Sequence, residues 1–294
     1  MQQQLYYLHA LSALHVGIGE GSGVIDLPIA REKATLLPLV PGSAVKGVLR
    51  DHARNAHAHQ SGAMDDLLAL FGPEPGENAS EYAGALAVGD SHLLCLPVRS
   101  WLGTFAWATC PMILRRYRRD LDTQIEIPVS LANTAITAKK TVLADQGKLY
   151  LEDLDIVQDE SQSAEAWAAH FANTLFPQQP DWQNLFQERL VILPDDIFDF
   201  LSETATEIRA RIRIQEGTRT VQPGALWYEE YLPAETILWG LLAVDRPRKS
   251  GCVKNRQQLL AVLLPENGKR LQIGGNASVG GGQVRWLTDF TDGV

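Results

Sequence analysis

Apolar and polar positions alternate with a period of two in some stretches of this chain and with a helical period in others. The strictest alternation is IRARIRI, residues 208–214. Ile208, Ala210, Ile212 and Ile214 fall on one face and Arg209, Arg211 and Arg213 on the other, which predicts a strand. Looser patterns predict strands over residues 3–14 (with Leu5, Tyr6, Leu8 and Leu11), 36–40, 190–193, 236–244, 271–273 and 283–287, and strand character with turns over 83–98. Helical periodicity predicts helices over 43–59, 64–71, 105–121 despite Pro111, 164–175 with Pro177 just beyond, and 255–264. Residues 122–160 show no sustained period and read as irregular. Strands mixed with helices and hairpin-like pairs predict an α+β fold, with a ferredoxin-like antiparallel sheet as its core.

Three glycine-bearing stretches punctuate this pattern: LHVGIGEGSGVIDLPIAREK (14–33), PGSAVKGVLR (41–50) and LQIGGNASVGGGQVRW (271–286). Loops of this kind beside a strand or helix start expose backbone N–H groups to anions. In the second, Pro41 and Gly42 stop a strand and Ser43 is placed to cap a helix. Lys46 then falls at the third helical position, Arg50 one turn later on the same face, and Gly47 beside them leaves room for a ligand. A capped helix with exposed cations fits the same residues. The third stretch has five glycines in nine residues, Gly274, Gly275, Gly280, Gly281 and Gly282, around Asn276. That density suits a loop lying against a polynucleotide and equally a flexible turn.

Asp26 is the one acid that apolar residues and a proline hold in place within the first stretch, flanked by Val24, Ile25, Leu27, Pro28 and Ile29. It reads as a carboxylate on an apolar ridge, or as an Asx-turn. His15 lies nearby. After the arginine strand come the turn EGTRTVQPGA, with Arg219, and LWYEEYLP, in which Trp227, Tyr228 and Tyr231 surround Glu229 and Glu230. Aromatics there suit stacking on splayed bases or a core. RRYRR (115–119) places four arginines on a predicted helix. His52, His57 and His59 lack metal-site spacing and read as an exposed helix end.

The net charge of −9, from 26 basic and 35 acidic residues, argues against a uniformly nucleic-acid-binding surface. The charges are segregated, however. Acids concentrate at 145–160 and 195–207 and bases at 115–119, 209–213 and 246–249, so one face can bind RNA while others meet protein. Three scattered cysteines argue for a reducing, cytoplasmic setting. No run of about 18 apolar residues is present to span a membrane, and the start of the chain lacks the basic region of a signal peptide.

HVGIGEG, GVIDLPIAREK, PGSAVKGVLR and GALWYEEYLP, in this order, resemble the RAMP superfamily of CRISPR proteins, and specifically the repeated backbone subunit of type III-B (Cmr) effector complexes. The similarity runs from His15 to Arg50 and returns at 224–233 and 273–286; residues 60–205 match poorly. It implies a single domain over 1–294, with an RRM-like palm, an irregular insertion at about 100–205 and a β-hairpin thumb at about 214–235. It implies a CRISPR RNA (crRNA) as ligand, a complementary target RNA as substrate, further copies of the chain and other Cmr subunits as partners, and no membrane. Asp26 falls on the cleaving aspartate, with Mg²⁺ or another divalent cation held there once RNA is bound. Ser43, Lys46 and Arg50 fall on the RNA-gripping helix start, residues 274–282 on the glycine loop, and Glu229, Tyr231 and His15 on auxiliary positions near the cut. Family members often carry a basic residue in the glycine loop. VGGGQV has none, so its grip depends on backbone N–H groups and on Arg285. A backbone subunit without chemistry, and a stand-alone processor of precursor crRNA, are the alternatives.

Overall fold

In the computed structural model, residues 2–21, 23–57, 62–74, 81–129, 131–263 and 266–288 are described. The run LYYLHA leaves the first strand no wet face: Leu5 to Ala10 are all buried. A strand buried on both faces belongs inside a sheet. Gln2–Ala10 accordingly pairs antiparallel with Ile237–Val244 on one side, Tyr6 opposite Gly240, and with Gln283–Thr288 on the other, Tyr6 opposite Thr288. Gly240 is required there, since a Cβ would lie 2.4 Å from the Tyr6 ring. Tyr6 stacks on Trp286 with ring centroids 4.7 Å apart.

Among the described residues thirteen strands join in one sheet. Beyond Ile237–Val244 it continues through Ser91–Arg99, Phe105–Thr109, Leu190–Ile192, Thr134–Thr137, Leu154–Glu160 and Lys148–Leu151 to Ala144–Asp145; Arg270–Gln272 is the opposite edge. Leu190–Ile192 on Phe105–Thr109, and Thr134–Thr137 on Leu154–Glu160, run parallel. The fold is α+β, as the pattern predicts, but the sheet is far wider than one ferredoxin-like unit. Helix Gly42–Ala56 shows why these segments fold as they do: Val45, Leu49 and Ala53, four apart, form its buried stripe.

Several local expectations change. Residues 105–121 are not one helix. Phe105–Thr109 is a buried strand, and Pro111 opens helix Pro111–Leu121 at the position where its missing N–H costs nothing. Residues 122–160, expected to be irregular, contribute four short strands to the sheet. Within the expected irregular insertion, Pro180–Gln187 and Asp195–Thr204 are helices that the sequence pattern did not reveal. The hairpin in the region expected at 214–235 comprises Glu207–Ile214 and Val221–Tyr231, so it starts and ends earlier and contains the arginine strand. The expected helix end at His59 lies outside the described residues. No helix among the described residues is long and apolar enough to cross a membrane.

Two glycines of helix Gly42–Ala56 separate packing from ligand access. A Cβ at Gly42 would lie 2.3 Å from the Val88 carbonyl, whereas one at Gly47 would meet nothing within 4 Å. Gly42→Ala is expected to cost about 1–3 kcal/mol through overpacking. Gly47→Ala is expected to gain about 0.5–1 kcal/mol through helix propensity. Thermal melting of the two variants beside the wild type checks both signs.

Candidate nucleic-acid interface

The segment carrying Asp26 is long and glycine-rich, yet it is tied down. Leu14 bridges to Leu232, Gly17 to Ile29, and Leu27 to Glu229 of the hairpin. The Leu27 N–H donates to the Tyr228 carbonyl (3.0 Å) and the Glu230 N–H to the Leu27 carbonyl (3.0 Å). Asp26 itself is exposed, and its Oδ2 accepts the Tyr228 N–H at 2.8 Å. The expected apolar ridge is not what holds it: Val24 is 94% exposed, and of the named neighbours Ile29 alone is buried. Nor is the side chain in an Asx-turn with its own backbone. A strand two hundred residues away fixes it, and Oδ1 has no hydrogen-bond partner among the described residues.

Alternation along the hairpin strand sends Glu229 and Glu230 to opposite faces. Glu229 is 5% exposed, and both its oxygens are engaged. Oε1 accepts from Trp227 Nε1 (2.8 Å). Oε2 accepts from the Tyr231 hydroxyl and from Asn276 Nδ2 (2.9 Å), with Arg211 Nε 3.4 Å away. Asn276 also donates to Tyr231 (2.7 Å) and accepts from Arg211 Nη2 (3.2 Å), so it ties the glycine loop to the hairpin. Arg209 lies over the Tyr231 ring at 4.7 Å and is paired with Glu207. His15 Nδ1 sits 2.7 Å from the Glu230 carbonyl, so Nδ1 carries the proton; the imidazole packs on Tyr231, with ring centroids 5.4 Å apart. Gly17 leaves the room it needs, since a Cβ there would lie 2.8 Å from His15 Nε2. Sequence separation hid this cluster. The legible signal was the alternation in LWYEEY, which already places the two glutamates on different faces.

The three expected phosphate cradles change more. Helix Gly42–Ala56 begins at Gly42, with Pro41 before it, and Ser43 caps nothing. The Gly42 N–H is taken by Asp90 Oδ1 at 2.8 Å. Lys46 Nζ donates to the Leu86 carbonyl (2.8 Å) and Arg50 Nη2 to the Phe71 carbonyl (2.7 Å), so the two cations do not converge on one free point. Burial, and then the Arg50 charge, lowers the Lys46 ammonium pKa. In the glycine loop the N–H groups of Gly275, Gly280, Gly281 and Gly282 donate to His15, Ala277, Asn276 and Ala13 carbonyls. Gly274, at φ +78°, is pressed against the His15 carbonyl, where a Cβ would come within 2.1 Å. Gly274 thus serves close packing on the first segment, Gly282 packs on the Ile273 carbonyl, and a Cβ at Gly280 would meet nothing within 4 Å. Arg285 points elsewhere, donating to the Leu175 carbonyl (2.6 Å) and lying over Phe176. The arginines of RRYRR are likewise engaged, Arg116 with Glu32, Arg115 with Asp195, Arg119 with Asp120 and Arg118 with the Ile125 carbonyl. Arg213 and Arg219, on and at the end of the hairpin, are exposed without an ion pair among the described residues. The other hairpin face is uncovered: Ile208, Ile212, Ile214 and Leu226 are each about half exposed.

The RAMP superfamily model matches residues 7–285. The chain belongs to the RAMP superfamily. It is 36% identical over 297 residues to the Cmr endoribonuclease Cmr4 of Pyrococcus furiosus, covering 97% of this chain and 95% of that one. It is 21% identical to the CMR subunit Cmr4 of Saccharolobus solfataricus, over 97% of this chain and 96% of that one. A crystal structure of oligomeric Cmr4 from Pyrococcus furiosus superposes with a TM-score of 0.75 at 28% identity, covering 99% of this chain and all of that one. A chain of a type III-B Cmr-beta complex bound to cognate target RNA shares the fold, with a TM-score of 0.74 at 19% identity over 98% and 97% of the two chains.

Among the described residues no three His, Cys, Asp or Glu side chains converge, and Asp26 offers one free oxygen. The neighbouring Glu229 is already saturated. Burial opposes its charge, but hydrogen bonds from Tyr231 and Trp227, the Arg211 charge and Asn276 outweigh that and hold the carboxyl below its usual range. Burial, together with the Glu229 hydrogen bond and charge, pushes the Tyr231 phenol up to about 12. Because the Glu229 value falls on folding, its stabilisation is present above the unfolded value and is lost as pH drops through the folded one. Glu229→Gln is therefore expected to cost about 1–3 kcal/mol at neutral pH. The gap to wild type should narrow below about pH 4. Melting temperatures at pH 7, 5 and 3 check this.

Proposed function

We propose that this RAMP chain is a crRNA-binding backbone subunit of a type III-B effector complex and cuts the complementary target RNA at regular intervals, with Asp26 at the cleaved linkage. The observation that carries the proposal is an exposed carboxylate pinned by its Oδ2 to the hairpin strand, with Oδ1 turned to solvent. The 36% identity to a Cmr endoribonuclease over nearly the whole chain supports it. crRNA, target RNA, further copies of the chain and other Cmr subunits are its partners in this account, in a cytoplasmic setting. The likeness to an oligomeric Cmr4 and the segregated acidic surface fit such stacking.

In the chemistry this implies, the hairpin pushes a base pair of the guide–target duplex apart. The distorted linkage brings its 2′-OH in line with the departing 5′-oxygen, a positioning effect. Asp26 Oδ1 is the oxygen available either to hold a divalent cation or to take the 2′-OH proton as the 5′-oxygen leaves. Tyr231, protonated at physiological pH, and the saturated Glu229 hold the hairpin strand and the glycine loop in register rather than exchange protons. His15 is oriented at the same junction by its Nδ1 bond to the Glu230 carbonyl. A divalent cation such as Mg²⁺ belongs to the proposal only with RNA bound, where phosphate oxygens and water complete its shell beside the one protein carboxylate.

The test uses the assembled complex with guide RNA and an end-labelled complementary target, wild type beside Asp26→Ala, each with Mg²⁺ and with EDTA. A regular product ladder is expected from wild type. Asp26→Ala should slow it by at least about 100-fold with target binding intact, and EDTA should abolish it. Binding without any ladder in wild type would leave a scaffold subunit.

A further inference from the structure

Asp26 is held to the hairpin by few bonds, and the chain before it, Gly23 and Val24, is exposed. The hairpin bonds that fix Asp26 are reinforced by the segment after it. There Ile29 and Ala30 are buried, and Arg31 bridges to Pro38. The Arg31 guanidinium makes four hydrogen bonds in three directions. Nη2 donates to Glu230 Oε1 at 2.6 Å. Nη1 and Nη2 both donate to the Ser202 carbonyl at 3.2 Å, and Nη1 donates to the Leu36 carbonyl at 2.8 Å. Glu230 is 3% exposed, and its second oxygen accepts the Ile29 N–H at 3.1 Å.

These partners lie on different elements. Glu230 belongs to the hairpin strand that holds Asp26, two residues after Tyr228. Ser202 lies in helix Asp195–Thr204, which leads through residues 205–206 into the other hairpin strand. A planar fork with five donors holds both in a fixed geometry; an ammonium is a point charge on a flexible stem and does not fix their orientation. Next to it, Glu32 accepts from both Arg116 nitrogens (2.9 and 2.8 Å) and pairs with His92 (2.6 Å), which anchors the same segment to the palm.

We propose that Arg31 is a positioning residue for target cleavage: through Glu230 and the Ser202 carbonyl it locks the Asp26 segment to both strands of the hairpin. It touches no reacting atom. It sets where the Asp26 carboxylate stands relative to the base pair that the hairpin displaces, and it rests on Asp26 being the cleaving group.

The test is a single-turnover cleavage assay at saturating complex, with target affinity measured in parallel, on purified assembled complexes. The variants are Arg31→Lys, the double variant Arg31→Met with Glu230→Gln, and Asp26→Ala. The double variant leaves no lone buried charge, which is the usual reason such changes unfold a protein, and the amide oxygen that Glu230→Gln introduces can still accept the Ile29 N–H. It is expected to cut about 10- to 100-fold more slowly, as misplacement of a reacting group does. Its target affinity should stay within about twofold of wild type, since the lost contacts act on the rate. Arg31→Lys should fall between. A merely structural role would lower the yield of complex but leave the rate per assembled complex unchanged. Wild-type rates in the double variant, beside an inactive Asp26→Ala, would overturn the positioning role. If the double variant does not assemble, a wild-type rate in Arg31→Lys overturns it equally. Full cutting by Asp26→Ala would instead remove the functional reading on which the role depends.

Discussion

Pairing of the first strand between the last strand of the sheet and the strand that follows the hairpin is the constraint on which the rest depends. With Gln2–Ala10 clamped between Ile237–Val244 and Gln283–Thr288, the chain must leave Ala10 beside both the hairpin base and the glycine loop. Leu14 then bonds to Leu232, the His15 carbonyl receives the Gly275 N–H, and the Ala13 carbonyl receives the Gly282 N–H. Every contact of Asp26, His15 and Arg31 with the hairpin follows from that register. A slip of one residue would turn the side chains of Gln2–Ala10 to the wrong faces of the sheet.

Within that frame the hairpin has two unlike sides. One is polar and saturated: Arg209, Arg211, Trp227, Glu229 and Tyr231 interlock with Asn276 of the glycine loop. The other is apolar and open, with Ile208, Ile212 and Leu226 half exposed. Asn276 adopts a left-handed conformation, φ +63°, and turns its amide into the cluster, so the loop is locked to the hairpin by a side chain as well as by packing. A half-satisfied polar group here would be costly at this burial. This one is fully satisfied.

Placing the cations does not offset the chain's net charge of −9. Lys46, Arg50, Arg116, Arg189 and Arg285 are engaged with backbone carbonyls or carboxylates inside the protein. They hold loops and helix ends and contribute little to a binding potential. Exposed cations without an ion pair among the described residues include Lys33 in the Asp26 segment and Arg213 and Arg219 on the hairpin. A modest electrostatic attraction suits a subunit that holds RNA jointly with its neighbours.

The sequence by itself determined the α+β class, most element positions, the arginine-faced hairpin strand and the residues worth examining, because binary pattern and turn chemistry are local. The resemblance of its ordered motifs pointed to the family. Local pattern failed in two ways. It assigned Phe105–Thr109 to a helix, because a short buried apolar run looks alike in either state. It left the strands of 134–160 unseen, because they are short and rest on partners distant in sequence. At the site, glycine density and helix-start cations suggested free donors, and tertiary structure decided otherwise. Backbone N–H groups, Lys46 and Arg50 found protein carbonyls across the fold, since buried donors must be satisfied. Only the tertiary structure could set Asp26 on Tyr228, Glu229 in its cluster and Arg31 on Glu230. The Asp26 and Arg31 bonds join residues 202 and 199 positions apart and the one from Asn276 to Glu229 spans 47, and no local preference encodes such distances.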